Sequence, residues 1–186
     1  CEGFETPEAC LAGAVDILTE AISEDTKLRA WTYQEILQHS AILSSLKDQA
    51  ADEKLVFQIY YDFSEKVSKM QGYRTLALNR GEKIGALKIS FEHNLDKILR
   101  FFAIRFPQKN SYIEEAISQA VKKKILSAME RRIRTELTED AESGAISLFS
   151  ENLRNLLLVP PLKGKTVLGF DPAFRTGAKL AVVDET

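Results

Sequence analysis

The chain is 186 residues long, 45% hydrophobic and 28% charged, with a formal net charge of −2. That length supports one good core, or one core plus an appended piece, and the near-neutral balance excludes a globally basic polyanion binder, so any nucleic-acid contact requires a local patch. No apolar run approaches the ~20 residues needed to span a bilayer, and no basic-then-apolar leader opens the sequence, so neither a membrane nor a secretory role is expected.

Residues 1–5 read as irregular. Thr6, Pro7 and Glu8 then form an N-cap, a first-turn proline and a first-turn acid, and Leu11, Ala14, Val15, Leu18 and Ile22 continue at helical spacing. Cys10 falls in this helical pattern, which suits a buried thiol. Cys1 and Cys10 form neither a metal spacing nor a disulfide framework. His39 and His93 are the only histidines, which makes a zinc site hard to assemble, and no metal or other cofactor is expected. A cytoplasmic, reducing setting follows as the expectation.

A second helix is predicted from Thr26 to His39, with Leu28, Trp31, Ile36 and Leu37 as its apolar positions. The segment ILSS at 42–45 is too short and too polar to assign. LVFQIYYDF at 55–63 carries both helix and strand signals and is read as helix. A short helix starts at Gly72-Tyr73 and continues through Leu76, Ala77 and Leu78, with Gly81 as its left-handed stop. Leu87, Ile89 and Phe91 alternate with Lys88, Ser90 and Glu92, the one good strand before residue 160. Asn94 caps a helix whose Leu95, Ile98, Leu99, Phe102 and Phe106 form one stripe, and Pro107 ends it.

From Ser111 onward Ile113, Ile117, Val121, Ile125, Met129, Ile133 and Leu137 recur every four residues. A four-residue step over-rotates by about 40° on a regular helix, so the stripe is expected to wind around the axis. A further helix carries Ala141, Ala145, Leu148, Phe149, Leu153 and Leu156, with a break near Thr138 and a kink at Ser143-Gly144 both left open. Residues 159–165 read as a linker, because two prolines end the helix and Gly164 loosens the chain.

Lys122, Lys123, Lys124, Arg131, Arg132 and Arg134 face only Glu130 in this stretch, a local +5. Glu136, Glu139, Asp140, Glu142 and Glu151 follow before Arg154, a local −5. Two readings compete: a phosphate-binding face built on Lys122, Lys123, Arg131, Arg132 and Arg134, or two helices packed side by side with compensating charges. No aromatic residue interleaves with the lysines, so stacking of single strands is not supported there. Arg74 and Arg80, in GYRTLALNRGE, point in different directions on a helix and are expected to form structural salt bridges.

Val167 to Asp171 reads as a strand buried on both faces with Asp171 at its mouth. A turn from Pro172 to Gly177 follows, and Ala178, Leu180, Val182 and Val183 form the return strand. An aspartate in that place suits a ribonuclease-H-like metal site or an actin-like phosphate hairpin. With the hairpin folded between Phe174 and Arg175, Asp184 lies opposite Lys165, about 20 Å along the strand from Asp171 and too far to share a metal. Pro172 lacks an N–H and Ala173 adds a methyl group, which weakens the phosphate-loop reading.

VLGFDPAFRTGAKLAVVD resembles the start of the YqgF-like, ribonuclease-H-fold domain of the bacterial Tex transcription accessory proteins. ILTEAISED with LRAW, YDFSEKV with YRTLALNRGEK, and RIRTELTEDAE with FSENLRNLLL resemble the helical region that leads into it. The resemblance implies a multi-domain parent with helix-hairpin-helix repeats and an RNA-binding S1 domain, associated with nucleic acid and transcription and similar to a eukaryotic elongation factor. Its YqgF-like domain is expected to lack nuclease activity, which makes Asp171 a vestigial position with no catalytic residue and no metal. Ala173 and Ala178 depart from the commoner glycine and cysteine of that family.

The expected architecture is mainly α: a helical scaffold over 1–158 with one isolated strand, a linker at 159–165, and at 166–186 a β-hairpin that begins a truncated ribonuclease-H-like domain. The first residue is not methionine and the last segment is a strand, so both ends are expected to be cut. The expected function is a non-enzymatic nucleic-acid-binding accessory protein, with RNA favoured over DNA, binding mostly through absent domains, and transcription machinery as a further partner. A metal-dependent nuclease with Asp171 as first ligand and a pure protein-docking scaffold are the alternatives.

Overall fold

Two short side chains start the fold. Thr6 accepts from the Ala9 N–H to cap α1 (Pro7–Glu24), and Asp25 accepts from the Lys27 and Leu28 N–H groups to cap α2 (Thr26–His39). Each satisfies donors that a helix start otherwise leaves unpaired. A computed structural model describes residues 6–106, 110–160, 162–175 and 177–184. The expectations for residues 1–5, Cys1 and the Pro107 stop lie outside these. The chain divides into two units, 1–145 and 146–186. Each is described by itself.

In the first unit α1 buries Val15 and Ile22, but Leu11 and Leu18 are exposed and Thr19 and Ser23 take their place inside. Both hydroxyls donate to main-chain carbonyls, Thr19 to Ala116 and Ser23 to Glu20, which makes their burial affordable in hydrogen bonds. Cys10 is exposed rather than buried.

The segment at 42–45 proves to be the middle of the sheet. β1 (Ala41–Leu46) pairs antiparallel with β2 (Asp62–Lys66) on one side and β3 (Leu87–Glu92) on the other. The Leu87–Glu92 strand is therefore not isolated, although the mainly helical class stands. Ile42, Ser44, Phe63, Ile89 and Phe91 share the core-facing side by register, and Lys66, Lys88, Ser90 and Glu92 share the other. Ser44 sits on the buried face, 3% exposed, so the sequence alternation of β1 is broken where the strand is most central.

The helix expected over 55–63 is absent. Asp52, 4% exposed, accepts from the Val56 N–H, the Phe57 N–H and the Tyr61 hydroxyl. Its carboxylate takes amide donors that a helix would direct to its own carbonyls, and Leu55 turns the chain with a φ of 52°. Within 55–63 the sole helical piece is a short 3-10 turn, Gln58–Tyr60, just ahead of β2.

Helix α3 (Gly72–Lys83) runs past Gly81. The left-handed glycine is Gly85, φ 84°, whose N–H bonds Glu82 O while the Ala86 N–H bonds Gly81 O, the paired bonds of a Schellman stop. Gly81 is instead a close-approach residue: a Cβ there would lie 2.5 Å from Leu87 Cδ1. Arg74 bonds Glu65 of β2 as expected, whereas no ion pair forms at Arg80 among the described residues.

Asn94 caps α4 (Leu95–Arg105), which buries Ile98 and Phe102. Helix α5 (Ser111–Gln119) passes through a π-helical stretch, Ala120–Ile125, into α6 (Leu126–Leu157). The Leu126 N–H reaches back five residues to Val121 O. The four steps from Ile117 to Ile133 would drift about 160° on a regular helix, and the extra residue of a π turn takes back about 100°. Ile117, Val121, Ile125, Met129 and Ile133, none more than 4% exposed, therefore stay on one side, and the winding predicted for the stripe is largely removed.

No break occurs at Thr138 or Ser143-Gly144; α6 is continuous. In the second unit β4 (Val167–Pro172) pairs antiparallel with β5 (Ala178–Val183), with Asp171 opposite Lys179 and Pro172 opposite Ala178. The hairpin thus centres on Arg175, half a step later than expected. Leu168, Phe170, Leu180, Val182 and Val183 are exposed, so the expected burial of both faces is not found in this chain. Among the described residues no helix is long and apolar enough to cross a membrane.

Candidate nucleic-acid interface

The basic run occupies the π-helical stretch and the first turns of α6. Val121 and Ile125 hold the helix to the core, and the three lysines between them, Lys122, Lys123 and Lys124, are exposed. Lys123 Nζ donates to Gln119 Oε1 at 3.3 Å, a neutral partner one turn back. Arg131 Nε donates to the Ser127 carbonyl at 3.2 Å, also on its own helix. Lys124 stands 3.6 Å from Glu20 of α1, a solvated pair of little energetic weight.

Arg132 and Arg134 behave differently. Arg132 Nε donates to Glu136 Oε1 at 2.8 Å, and its guanidinium lies 4.5 Å from the Tyr33 ring centroid. The Tyr33 hydroxyl donates to the other Glu136 oxygen. These bonds, from Tyr33 first and Arg132 second, hold the Glu136 carboxyl below its ordinary range. The same bond to Glu136, with burial, pushes the Tyr33 hydroxyl up. Arg134 bonds Asn79 Oδ1 at 2.9 Å and the Glu82 carboxylate, both on α3. Arg132 and Arg134 are thus engaged within the molecule, and the structure leaves Lys122, Lys123 and Arg131 as the outward cations of the five-residue site.

The side-by-side helices expected to cancel the charges are one helix. Compensation comes from Glu136 at i+4, from Glu82 and from Glu20. Glu82, Asn79 and Tyr33 lie 52 to 103 residues from their partners, and no sequence signal joined them.

Asp171 is exposed on β4. By register Asp184 lies five residues beyond Lys179, its cross-strand neighbour, a separation of about 17 Å at the strand rise. Two carboxylates serving ions 3.5–4 Å apart must converge far more closely.

One arrangement carries an enzyme-like order of groups. Ser40 Oγ lies 2.9 Å from His93 Nδ1, and His93 Nε2 lies 2.6 Å from Glu130 Oε1. Hydroxyl, imidazole and carboxylate in series can activate a nucleophile. Ser40 is 3% exposed, so substrate does not reach it, and the series instead ties the start of β1 to the end of β3 and to α6.

The first unit is thus a small three-stranded antiparallel sheet packed with helices, and Lys122, Lys123 and Arg131 are exposed along the helical run from α5 to α6. Residues 1–149 match the family described as Tex central region-like, and the chain belongs to the Tex family. It is 45% identical over 97% of its length to the uncharacterized protein YdcI of Bacillus subtilis. It is 30% identical over its full length to the transcriptional accessory protein Tex of Neisseria gonorrhoeae, and 29% to S1 RNA-binding domain-containing protein 1 of Pongo abelii. The chain spans 26%, 26% and 20% of those three proteins.

Proposed function

We propose that the chain is a non-catalytic scaffold of a cytoplasmic transcription accessory protein that contacts nucleic acid, RNA in preference to DNA, through the outward face of the basic helix. The observation that carries this reading is the placement of Lys122, Lys123 and Arg131. All three are exposed, and among the described residues none has an acidic partner. Sequence-independent phosphate contact needs such cations. The names of two relatives, one a transcriptional accessory protein and one carrying an RNA-binding S1 domain, support the same direction. Transcription machinery is a further partner in this reading. Residues 1–158 form its helical part, and the hairpin at 166–186 opens a ribonuclease-H-like domain in which Asp171 is vestigial.

The test is binding of labelled single-stranded RNA to the chain across a salt series. Replacing Lys122, Lys123 and Arg131 together by glutamate removes three phosphate contacts and flattens the log–log salt slope by about 2. Unchanged affinity at low salt overturns the assignment. Magnesium-dependent cleavage that disappears in Asp171→Ala overturns the non-catalytic part.

A further inference from the structure

We propose that the α2–α4 surface around Trp31 and Phe101 is a second nucleic-acid site, one that stacks an unpaired base. The proposal rests on the nucleic-acid reading above but uses different residues and a different interaction. Trp31 of α2 and Phe101 of α4 stack with ring centroids 3.6 Å apart and planes 7° from parallel. Both rings are only half-buried, and with Ile104, 78% exposed, they line an open cavity of about 580 Å³. That volume lies within the ~300–1,000 Å³ range of small-ligand sites.

The rest of the wall is polar: Asn94, Asp96, Lys97 and Arg100. Arg100 is exposed at the cavity, Arg105 follows Phe101 by one turn, and Lys27 precedes Trp31 by one turn; all three are exposed. Lys97 is held by Glu35 at 2.7 Å and adds little. Aromatic faces with cations beside them are the combination that binds single strands, the rings taking a base and the cations the flanking phosphates. Asp96 repels a phosphate, and preference among bases comes from stacking strength, which is greater for adenine than for uracil. A base paired within a duplex cannot offer its face, so duplexes are excluded.

Trp31 is the only tryptophan of the chain, so its fluorescence reports this site alone. The experiment titrates the 186-residue chain with end-labelled oligoadenylate, oligouridylate and a duplex, reading label anisotropy and Trp31 emission together. The expected result is saturable quenching by oligoadenylate that follows the anisotropy curve, weaker quenching by oligouridylate, and none by the duplex. Trp31→Leu weakens oligoadenylate binding roughly 5- to 150-fold while Trp31→Phe retains most of it. R100E/R105E, at two exposed positions, weakens binding and quenching together without touching the stacked pair.

Binding that depends on Lys122, Lys123 and Arg131 but leaves Trp31 emission unchanged overturns the stacking site and leaves the basic-face reading standing. Equal quenching by the duplex overturns it as a polyanion effect. Absence of any single-strand binding overturns both.

Discussion

Gly81→Ala is the sharpest test of how α3 sits on the sheet. A helix-interior glycine is worth about 1 kcal/mol less than alanine, so local propensity alone says the change stabilises. The packing says otherwise. The added Cβ would lie 2.5 Å from Leu87 Cδ1, 2.8 Å from Leu87 Cγ and 3.1 Å from Phe57 Cδ1. Leu87 is 1% exposed and Phe57 5%, so neither side chain has space to swing away. Overpacking of this kind costs ~1–3 kcal/mol, which leaves a net destabilisation of up to about 2 kcal/mol. Gly144 in α6 is the control, because a Cβ there meets nothing within 4 Å. Gly144→Ala should gain about 1 kcal/mol. The two variants therefore separate by ~1–3 kcal/mol, or roughly 2–12 °C in midpoint for a chain of this size. Thermal unfolding followed by far-UV circular dichroism reads the difference. The cost at Gly81 should also shrink in a Leu87→Ala background, where the new methyl group fills vacated space. A Gly81→Ala protein that melts above wild type, level with Gly144→Ala, refutes the reasoning.

Asp52 should give the fold an acid-sensitive element. Burial pushes its carboxyl up, but the bonds from the Phe57 N–H, the Tyr61 hydroxyl and the Val56 N–H outweigh it and hold the group below the ordinary aspartate range. A depressed folded-state value stabilises above the unfolded value and loses that contribution as pH falls through the folded one. The urea midpoint of Asp52→Asn should therefore fall less than wild type's below about pH 4; parallel acid limbs contradict this. Deleting Lys123 should leave the core intact, because losing one residue converts the π-helical stretch to α-helix while keeping Ile117 and Ile133 in phase. A loss of helicity or of cooperative unfolding after that deletion speaks against the phase argument.

Where local chemistry decides, the sequence was readable. Thr6-Pro7 at the start of α1, the Thr26–His39 bounds of α2, and the Asn94 cap all follow from side chains within a few residues of the feature. The failures share a non-local cause. β1 hides because Ser44 faces the core between Phe63 and Ile89, strands contributed from later in the chain. The 55–63 segment escapes helix because Asp52 binds its amides, and Gly81 reads locally as a stop because its close neighbour Leu87 belongs to another element. Of the candidate site, Lys122, Lys123 and Arg131 were legible as exposed cations. The engagement of Arg132 by Glu136 beneath Tyr33, and of Arg134 by Glu82, depends on packing between distant segments. Phe101 did carry a local signal: it is an aromatic residue off the apolar stripe of α4.

The sorting of those cations constrains how the molecule can hold a nucleic acid. A face of three outward charges has a salt slope of about 2, so its affinity falls roughly twenty-fold between 50 and 200 mM salt. Such a face steers a strand toward the protein more than it retains it. Arg132 does not add to it without breaking its solvent-exposed bond to Glu136, nor Arg134 without breaking bonds to Asn79 and Glu82 that are partly shielded from solvent. The stacking part of the proposed α2–α4 site would not decay with salt in this way, because it arises from contact between faces, whereas the phosphate contacts of Arg100 and Arg105 beside it would. On the proposed reading, the basic helix governs the rate at which a strand arrives and the stacked pair supplies the part of the affinity that salt does not screen.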